Sequence, residues 1–219
     1  MKLKFLNDVD YINYKKPSMF IGFPKCSFKC GRDICQNAAL ANEPDIEVSI
    51  NEIIDRYLNN PLTEALVIGG LEPFDSWEEL QCLISLFRYW SGDKIIIYSG
   101  YTEEELGKEK LDWLLLYEPI VVKFGRYVPN QSPHFDKILG VNLASDNQYA
   151  KKFIIGADYD MIKLNPDKEI VEEIRKALKE NDGYCPCRPE KTHDTVCMCK
   201  EFREQESGLC HCGLYLKEE

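Results

Sequence analysis

The sequence predicts an α/β fold, and three observations carry that expectation. Short apolar, β-branched runs recur between residues 18 and 155, and amphipathic segments with helix-start signals lie between them. The third is that 44% of the 219 residues are hydrophobic, enough to build a buried core. Strands alternating with helices imply a mainly parallel sheet with right-handed crossovers. Such sheets place chemistry at the carboxyl ends of their strands.

The runs, in order, are Ser18–Phe23, 65–68, Lys94–Tyr98, Ile120–Phe124 and 152–155. Each has the length and β-branched content of a buried strand. Ser49-x-x-Glu52 reads as a capping box ahead of Ile53, Ile54, Tyr57 and Leu58. Ser76-x-x-Glu79 is expected to open a second helix, with Leu80, Leu83, Ile84, Phe87 and Trp90 on it. Thr102-x-x-Glu105 is expected to open a third, with Leu106 facing inward. Residues 126–148 have no clear period and contain Pro129 and Pro133, so a long loop over one edge is expected. Asn165 and Pro166 suit the N-cap and first position of a later helix. Its apolar face would be Ile170, Val171, Ile174, Ala177 and Leu178, and Gly183 would cap it. The module boundary is placed near 160–166, dividing the chain into 1–162 and 163–219.

Charge and hydropathy narrow the function classes. Acids outnumber bases 37 to 27, for a net charge of −10, so no basic surplus exists for a phosphate backbone and nucleic acid is not an expected partner. The first residues lack the apolar run of a signal peptide, and no stretch approaches a membrane span. A cytoplasmic protein is expected. In that reducing setting, ten clustered cysteines point to metal or redox chemistry rather than a disulfide scaffold. Three lie at 26, 30 and 35, Cys82 stands alone, and six fall between 185 and 212, which suggests two cysteine sites in two modules.

Cys26, Cys30 and Cys35 follow the first strand run and offer one ligand fewer than a closed four-thiolate site needs. Either a fourth ligand comes from elsewhere, as in a structural zinc knot, or one position stays open. Further along stand Gly69-Gly70-Leu71-Glu72-Pro73, then Ser99-Gly100-Tyr101-Thr102 running into an acidic stretch ending at Leu106. Leu143-Ala144-Ser145-Asp146-Asn147-Gln148 follows. Together with Cys35-Gln36-Asn37, these motifs over about residues 16–155 resemble the radical S-adenosylmethionine superfamily. The closest likeness is to activating enzymes of anaerobic (class III) ribonucleotide reductase. Here four residues, rather than that family's two, precede the third cysteine, and Leu71 stands inside the Gly-Gly-acid turn.

The resemblance implies a partial (β/α) barrel of radical S-adenosylmethionine type. It implies a [4Fe-4S] cluster on Cys26, Cys30 and Cys35, leaving one iron to bind S-adenosylmethionine, which an electron then cleaves to a 5′-deoxyadenosyl radical. Asn37 belongs to the same motif. Gly69 and Gly70 would let backbone approach the methionine end, and Glu72 would accept from its ammonium. Ser99, Asn147 and Gln148 would serve the ribose or adenine side.

The C-terminal cysteines form three C-x-C pairs: Cys185/Cys187, Cys197/Cys199 and Cys210/Cys212. Six thiols exceed one four-cysteine cluster by two, and a spare pair beside a one-electron centre suits a disulfide/dithiol couple. A pair of zinc sites or a binuclear zinc cluster is the alternative. In an extended segment the two thiols of a C-x-C pair point to opposite faces, which would let one ligate while its partner faces outward. Gly183-Tyr184-Cys185-Pro186-Cys187-Arg188 and Cys210-His211-Cys212 resemble the catalytic chain of ferredoxin:thioredoxin reductase over about 167–217, with Met198 where that pattern has its middle proline. The resemblance implies a small helical domain in which Cys185, Cys197, Cys199 and Cys210 bind a second [4Fe-4S] cluster. Cys187 and Cys212 would be the redox disulfide, Cys187 the attacking thiol, and His211 the proton donor or acceptor beside it.

Taken together, a two-module iron–sulfur oxidoreductase is expected, drawing on ferredoxin or flavodoxin. Its targets would be a thioredoxin-like protein or an anaerobic ribonucleotide reductase that needs a glycyl radical. The rivals are a disulfide reductase whose N-terminal cluster only docks or relays electrons, and a zinc-stabilised interaction protein. His134 and His193 are expected at the surface and Cys82 in the core.

Overall fold

Four of the five apolar runs lie within strands and the fifth overlaps one at 152–153 in the structure, a computed structural model that describes residues 1–154 and 162–217. The described residues group into two compact units. Met1–Leu80 with Gly92–Ile154 form the first, and Gln81–Ser91 joins the C-terminal residues in the second.

The elements of the N-terminal part are β1 (Lys2–Leu3), β2 (Phe5–Asp10), β3 (Ser18–Phe23), β4 (Ile46–Glu47), α1 (Ile50–Leu58), β5 (Ala65–Gly70) and α2 (Trp77–Trp90). They continue with β6 (Lys94–Tyr98), α3 (Glu103–Leu115), β7 (Ile120–Phe124), β8 (His134–Asp136), β9 (Val141–Leu143) and β10 (Tyr149–Phe153). The main sheet has the order β10-β7-β6-β5-β3-β2. Its four central strands are parallel, and β2 and β10 close the two edges antiparallel. The central strands follow one another in chain order, each step through a helix. On one face of the sheet Tyr14, Leu139 and Leu143 pack on Ala65, Val67, Ile96 and Val121. Leu66, Ile68, Ile95, Ile97 and Val122, alternating with these, are fully buried as well. Burial on both faces is why the strands read as unbroken apolar runs.

Local chemistry sets the helix starts. The Ser49 side chain accepts from Glu52 N, and α1 buries Ile53, Ile54 and Tyr57 as expected, while Leu58, at the last turn, is exposed. At α3 both halves of the Thr102/Glu105 capping box are present, and Gly107 interrupts the helix at φ 76°. The expected Ser76 cap is replaced. Glu72 caps a short 3-10 turn, Pro73–Ser76, that runs into α2, and the buried Ser76 hydroxyl has no hydrogen-bond partner among the described residues. The expected loop at 126–148 contains the hairpin β8–β9, pinned by Asp136, which accepts from Ile138, Leu139 and Ala150. Residue 155 of the last strand run, and 160–161 of the expected boundary, lie outside the described residues, as does the His193 side chain.

In the second unit, β11 (Ile162–Leu164), α4 (Lys168–Glu180), α5 (Lys200–Glu204), β12 (Gly208–Leu209) and β13 (Tyr215–Lys217) surround the cysteine segments. The strands form one small antiparallel sheet, β11-β13-β12. The N-cap of α4 is Asp167, not Asn165, and accepts from Glu169 and Ile170. Asn165 instead donates 2.7 Å to the Gly213 carbonyl, tying the helix entry to the last cysteine turn. Gly183 ends α4 as expected, at φ +84°, with its N–H on the Leu178 carbonyl at 2.9 Å. Among the described residues no helix is long and apolar enough to cross a membrane.

Candidate functional site

The first candidate site is a cavity of about 450 Å³ at the carboxyl ends of the parallel strands. Its walls are the segments after each of them: the cysteine loop after β3, Gly69–Glu72 at the end of β5, Ser99 and Gly100 after β6, and Gly125–Tyr127 after β7. Cys26, Cys30 and Cys35 all line it and are half-buried. Burial, helped by Glu72 and Asp75, pushes the Cys26 thiol up to about 11. Cys30 is raised by burial and by the adjacent Cys35. Three hydrogen bonds fasten the cysteine loop to the β5 turn and the residues after it, one of them from Glu72 N to the Lys25 carbonyl at 2.8 Å. Asn37 Nδ2 donates 2.8 Å to the Gly70 carbonyl, and Ser27 N donates 2.6 Å to Asp75.

Of the residues expected to contact S-adenosylmethionine, Asn37, Gly69, Gly70, Glu72, Ser99 and Gln148 line this cavity. Asn147 does not; its side chain donates to the Arg126 carbonyl at 2.9 Å. The glycine pair has a packing reason. A Cβ on Gly69 would stand 3.0 Å from the Phe20 ring, and one on Gly70, at φ +85°, 2.6 Å from Gly22 Cα. Gln148 joins the loops, accepting from Ala144 N and Ser145 N and donating to the Gly125 carbonyl. Glu72 is buried and accepts from Ser99 Oγ at 2.9 Å, Gly100 N at 2.8 Å and Phe74 N at 3.3 Å. Burial outweighs these bonds and pushes its carboxyl up to about 7.

Sequence reasoning passed over Lys123 and Arg126. Lys123, buried on β7, donates to the Gly125 carbonyl at 2.6 Å and the Ser99 carbonyl at 3.4 Å. Burial pushes it down to about 8, opposed by Glu72. Its signal was present: it is the one charge inside the apolar run Ile120–Phe124. Among the described residues no His or Met lines the cavity, so its soft ligands are the three thiols, a set that fits an iron–sulfur cluster with one position left open.

The second candidate site is in the second unit. Cys185, Cys197, Cys199, Cys210, His211 and Cys212 line one small cavity with Met198, Phe202 and Tyr215. Cys185, Cys197, Cys199 and Cys210 are buried, Cys212 is half-buried and Cys187 is exposed. The opposite-face expectation therefore holds for Cys185/Cys187 and not for Cys197/Cys199, where Cys199 turns inward as the N-cap of α5. Backbone donors converge on Cys210 Sγ, from Leu214 at 3.1 Å and Tyr215 at 3.2 Å. With the Cys212 thiol, they lower Cys210 to about 6. Cys185 is held low because Cys199 and Cys212 both donate to it, and those two are raised in turn. Burial raises Cys197, and partial burial followed by the charges of Cys185 and Cys210 raises Cys187.

A site whose ligand-type side chains are five thiols, the Met198 thioether and one exposed imidazole, and whose backbone N–H groups point at sulfur, fits an iron–sulfur cluster held by thiolates. Among the described residues, no three His, Cys, Asp or Glu side chains converge as ligands of a single metal ion. Cluster ligands stand around a larger core instead.

Such a set of thiols, beside an exposed cysteine, defines a thiol-based redox module. Residues 137–219 match the family described as ferredoxin thioredoxin reductase catalytic beta chain, leaving residues 1–136 outside the match. The match supports an iron–sulfur disulfide-reductase module in the C-terminal part; that family binds a 4Fe-4S cluster, takes electrons from ferredoxin and acts on thioredoxin. No curated protein and no solved structure matches the chain.

Proposed function

We propose that this chain is a two-module iron–sulfur oxidoreductase. Its C-terminal thiols reduce a protein disulfide, and its N-terminal cavity holds a second cluster and S-adenosylmethionine. The observation that carries the reading is the exposed Cys187 thiol beside the buried thiols within the family-matched segment.

Cys187, as thiolate, attacks one sulfur of the target disulfide. A mixed disulfide forms, and the other target sulfur leaves and takes a proton from His211. Cys212 then attacks Cys187, closing a Cys187–Cys212 disulfide and releasing the second target thiol, whose proton comes from solvent. The target gains two electrons and two protons, and the two cysteines lose them. A [4Fe-4S] cluster on Cys185, Cys197, Cys199 and Cys210 would supply the electrons that reopen this disulfide, drawn from a ferredoxin or flavodoxin.

The sequential strand order and the crevice over the strand ends support the partial (β/α) barrel reading of the first unit. A cluster on Cys26, Cys30 and Cys35 would supply the electron that cleaves the sulfonium C–S bond. Glu72 takes the ammonium of the methionine end, while Ser99 and Gln148 face the ribose or adenine side. Its product would activate a glycyl-radical enzyme of the anaerobic ribonucleotide reductase kind. A second reading has this cluster relaying electrons without cleavage, and the three hydrogen bonds already engaging Glu72 favour it.

Iron and sulfide analysis of anaerobically purified protein tests the proposal. About eight irons per chain are expected from two four-iron centres. Dithionite-reduced protein should release 5′-deoxyadenosine from S-adenosylmethionine. A yield no greater than that of Cys26→Ala would leave the relay reading, and zinc without sulfide would remove both.

A further inference from the structure

In the segment after β6, Ser99 and Gly100 bind Glu72 and Thr102 caps α3; Tyr101, between them, does neither. It is 9% exposed and its backbone is fixed at both ends. Its N–H donates to Ser99 Oγ at 3.0 Å, and its carbonyl accepts from Gly125 N at 3.0 Å. Its hydroxyl donates to Asp75 at 2.5 Å, and the other oxygen of that carboxylate accepts from Ser27 N at 2.6 Å. A phenol has one proton, so the Ser27 hydroxyl, 3.2 Å away, donates to the Tyr101 oxygen. The Lys29 ammonium stands 4.4 Å from the centroid of the same ring.

Ser27 follows Cys26, and Lys29 precedes Cys30. Tyr101 thus meets the cysteine loop at the two residues beside its first two thiols. Cys26 and Cys30 line the cavity, while Ser27, Lys29 and Tyr101 do not, so the grip leaves both thiols turned to the ligand space. Between the two held residues Phe28 sits at φ 51°. A bulky residue in that region is strained, and it persists only where its surroundings fix it.

We propose that Tyr101 positions the first thiol set for its cluster: with Asp75 it clamps the loop at Ser27 and Lys29, and so holds Cys26 and Cys30 toward the cavity. Tyr101 is a positioning residue, since it grips the loop and not a ligand sulfur. Thiols held in place lose less freedom when a metal centre forms on them, and so retain it longer. This inference rests on the reading of Cys26, Cys30 and Cys35 as cluster ligands.

The test follows iron release to a ferrous chelator from the anaerobically purified full chain. The phase absent from Cys26→Ala belongs to the first site. Tyr101→Phe keeps the ring for Lys29 and removes the hydroxyl; that phase should run about tenfold faster, the change expected from one hydrogen bond to a charged group. Ser27→Ala, at an exposed position, removes only the contact with the Tyr101 oxygen and should speed release by less. The double variant should be no faster than Tyr101→Phe, because the partner of the Ser27 hydroxyl is already gone. In electron paramagnetic resonance of the reduced protein, the g values of the first centre should shift in Tyr101→Phe and stay in Thr102→Ala, which disturbs only the neighbouring helix cap. An unchanged release rate in Tyr101→Phe, or in Ser27→Ala where the first variant does not fold, overturns the role of Tyr101 alone. So does a double variant whose acceleration is the product of the two single ones. A wild-type protein that holds no more iron than Cys26→Ala overturns the cluster reading beneath it, and this proposal with it.

Discussion

Cys210 and Cys212, two residues apart, hold their sulfurs 3.4 Å from each other. An extended C-x-C pair would point them apart. Here Gly213, at φ +81°, reverses the chain, so the N–H groups of Leu214 and Tyr215 fold back onto Cys210 Sγ. Cys185 and Cys187 do the opposite, one buried and one exposed. The site thus keeps Cys212 among the buried thiols and sends only Cys187 outward.

Replacing a buried thiol should remove the centre rather than weaken it. Cys210→Ala is expected to lose about four irons per chain and the associated visible absorbance, while Cys187→Ser keeps both. Iron analysis of the two variants separates ligand from attacking thiol.

The buried pair in the first unit gives stability a readable pH dependence. The Glu72 carboxyl, raised to about 7 from its ordinary 4.5, contributes stability that is full below pH 4.5 and lost as pH rises through about 7. Lys123, lowered to about 8 from 10.5, contributes stability present above 10.5 and lost as pH falls through about 8. The difference in urea midpoint between wild type and Glu72→Gln should therefore change between pH 4.5 and 7, wild type losing ground as pH rises. Lys123→Met should change its difference between pH 10.5 and 8, wild type losing ground as pH falls.

Gly70→Ala should destabilise the first unit by roughly 1–3 kcal/mol or more, because the left-handed backbone and the Gly22 Cα at 2.6 Å both oppose a methyl group. Gly92→Ala, where nothing lies within 4 Å, is the control and should stay within about 0.5 kcal/mol. Urea unfolding at pH 7 measures both.

Thr102→Ala removes half of the reciprocal capping box at α3 and should cost about 1 kcal/mol by the same method. A change near zero would mean that the helix start is set by packing of Leu106 alone.

The central strands were legible because burial on both faces leaves little but apolar residues in Ser18–Phe23, Lys94–Tyr98 and Ile120–Phe124. Thr102 and Glu105 were legible because their bonds are local. Ser76 misled because its spacing to Glu79 imitates a cap, while Glu72, farther back, captured the turn through Phe74 N. The hairpin at Val141–Leu143 was hidden because its pairing depends on Asp136, whose side chain gathers three backbone donors. The cysteines announced both candidate sites by spacing alone.

In the proposed function Cys187 is the thiol that meets the target. Cys212→Ser removes the thiol that resolves the mixed disulfide, so the reduced, anaerobic variant mixed with an oxidised thioredoxin should accumulate a covalent adduct. Mass spectrometry of the digested adduct should place the bond at Cys187. An adduct on any other cysteine, or none while wild type reduces the same thioredoxin, would contradict it.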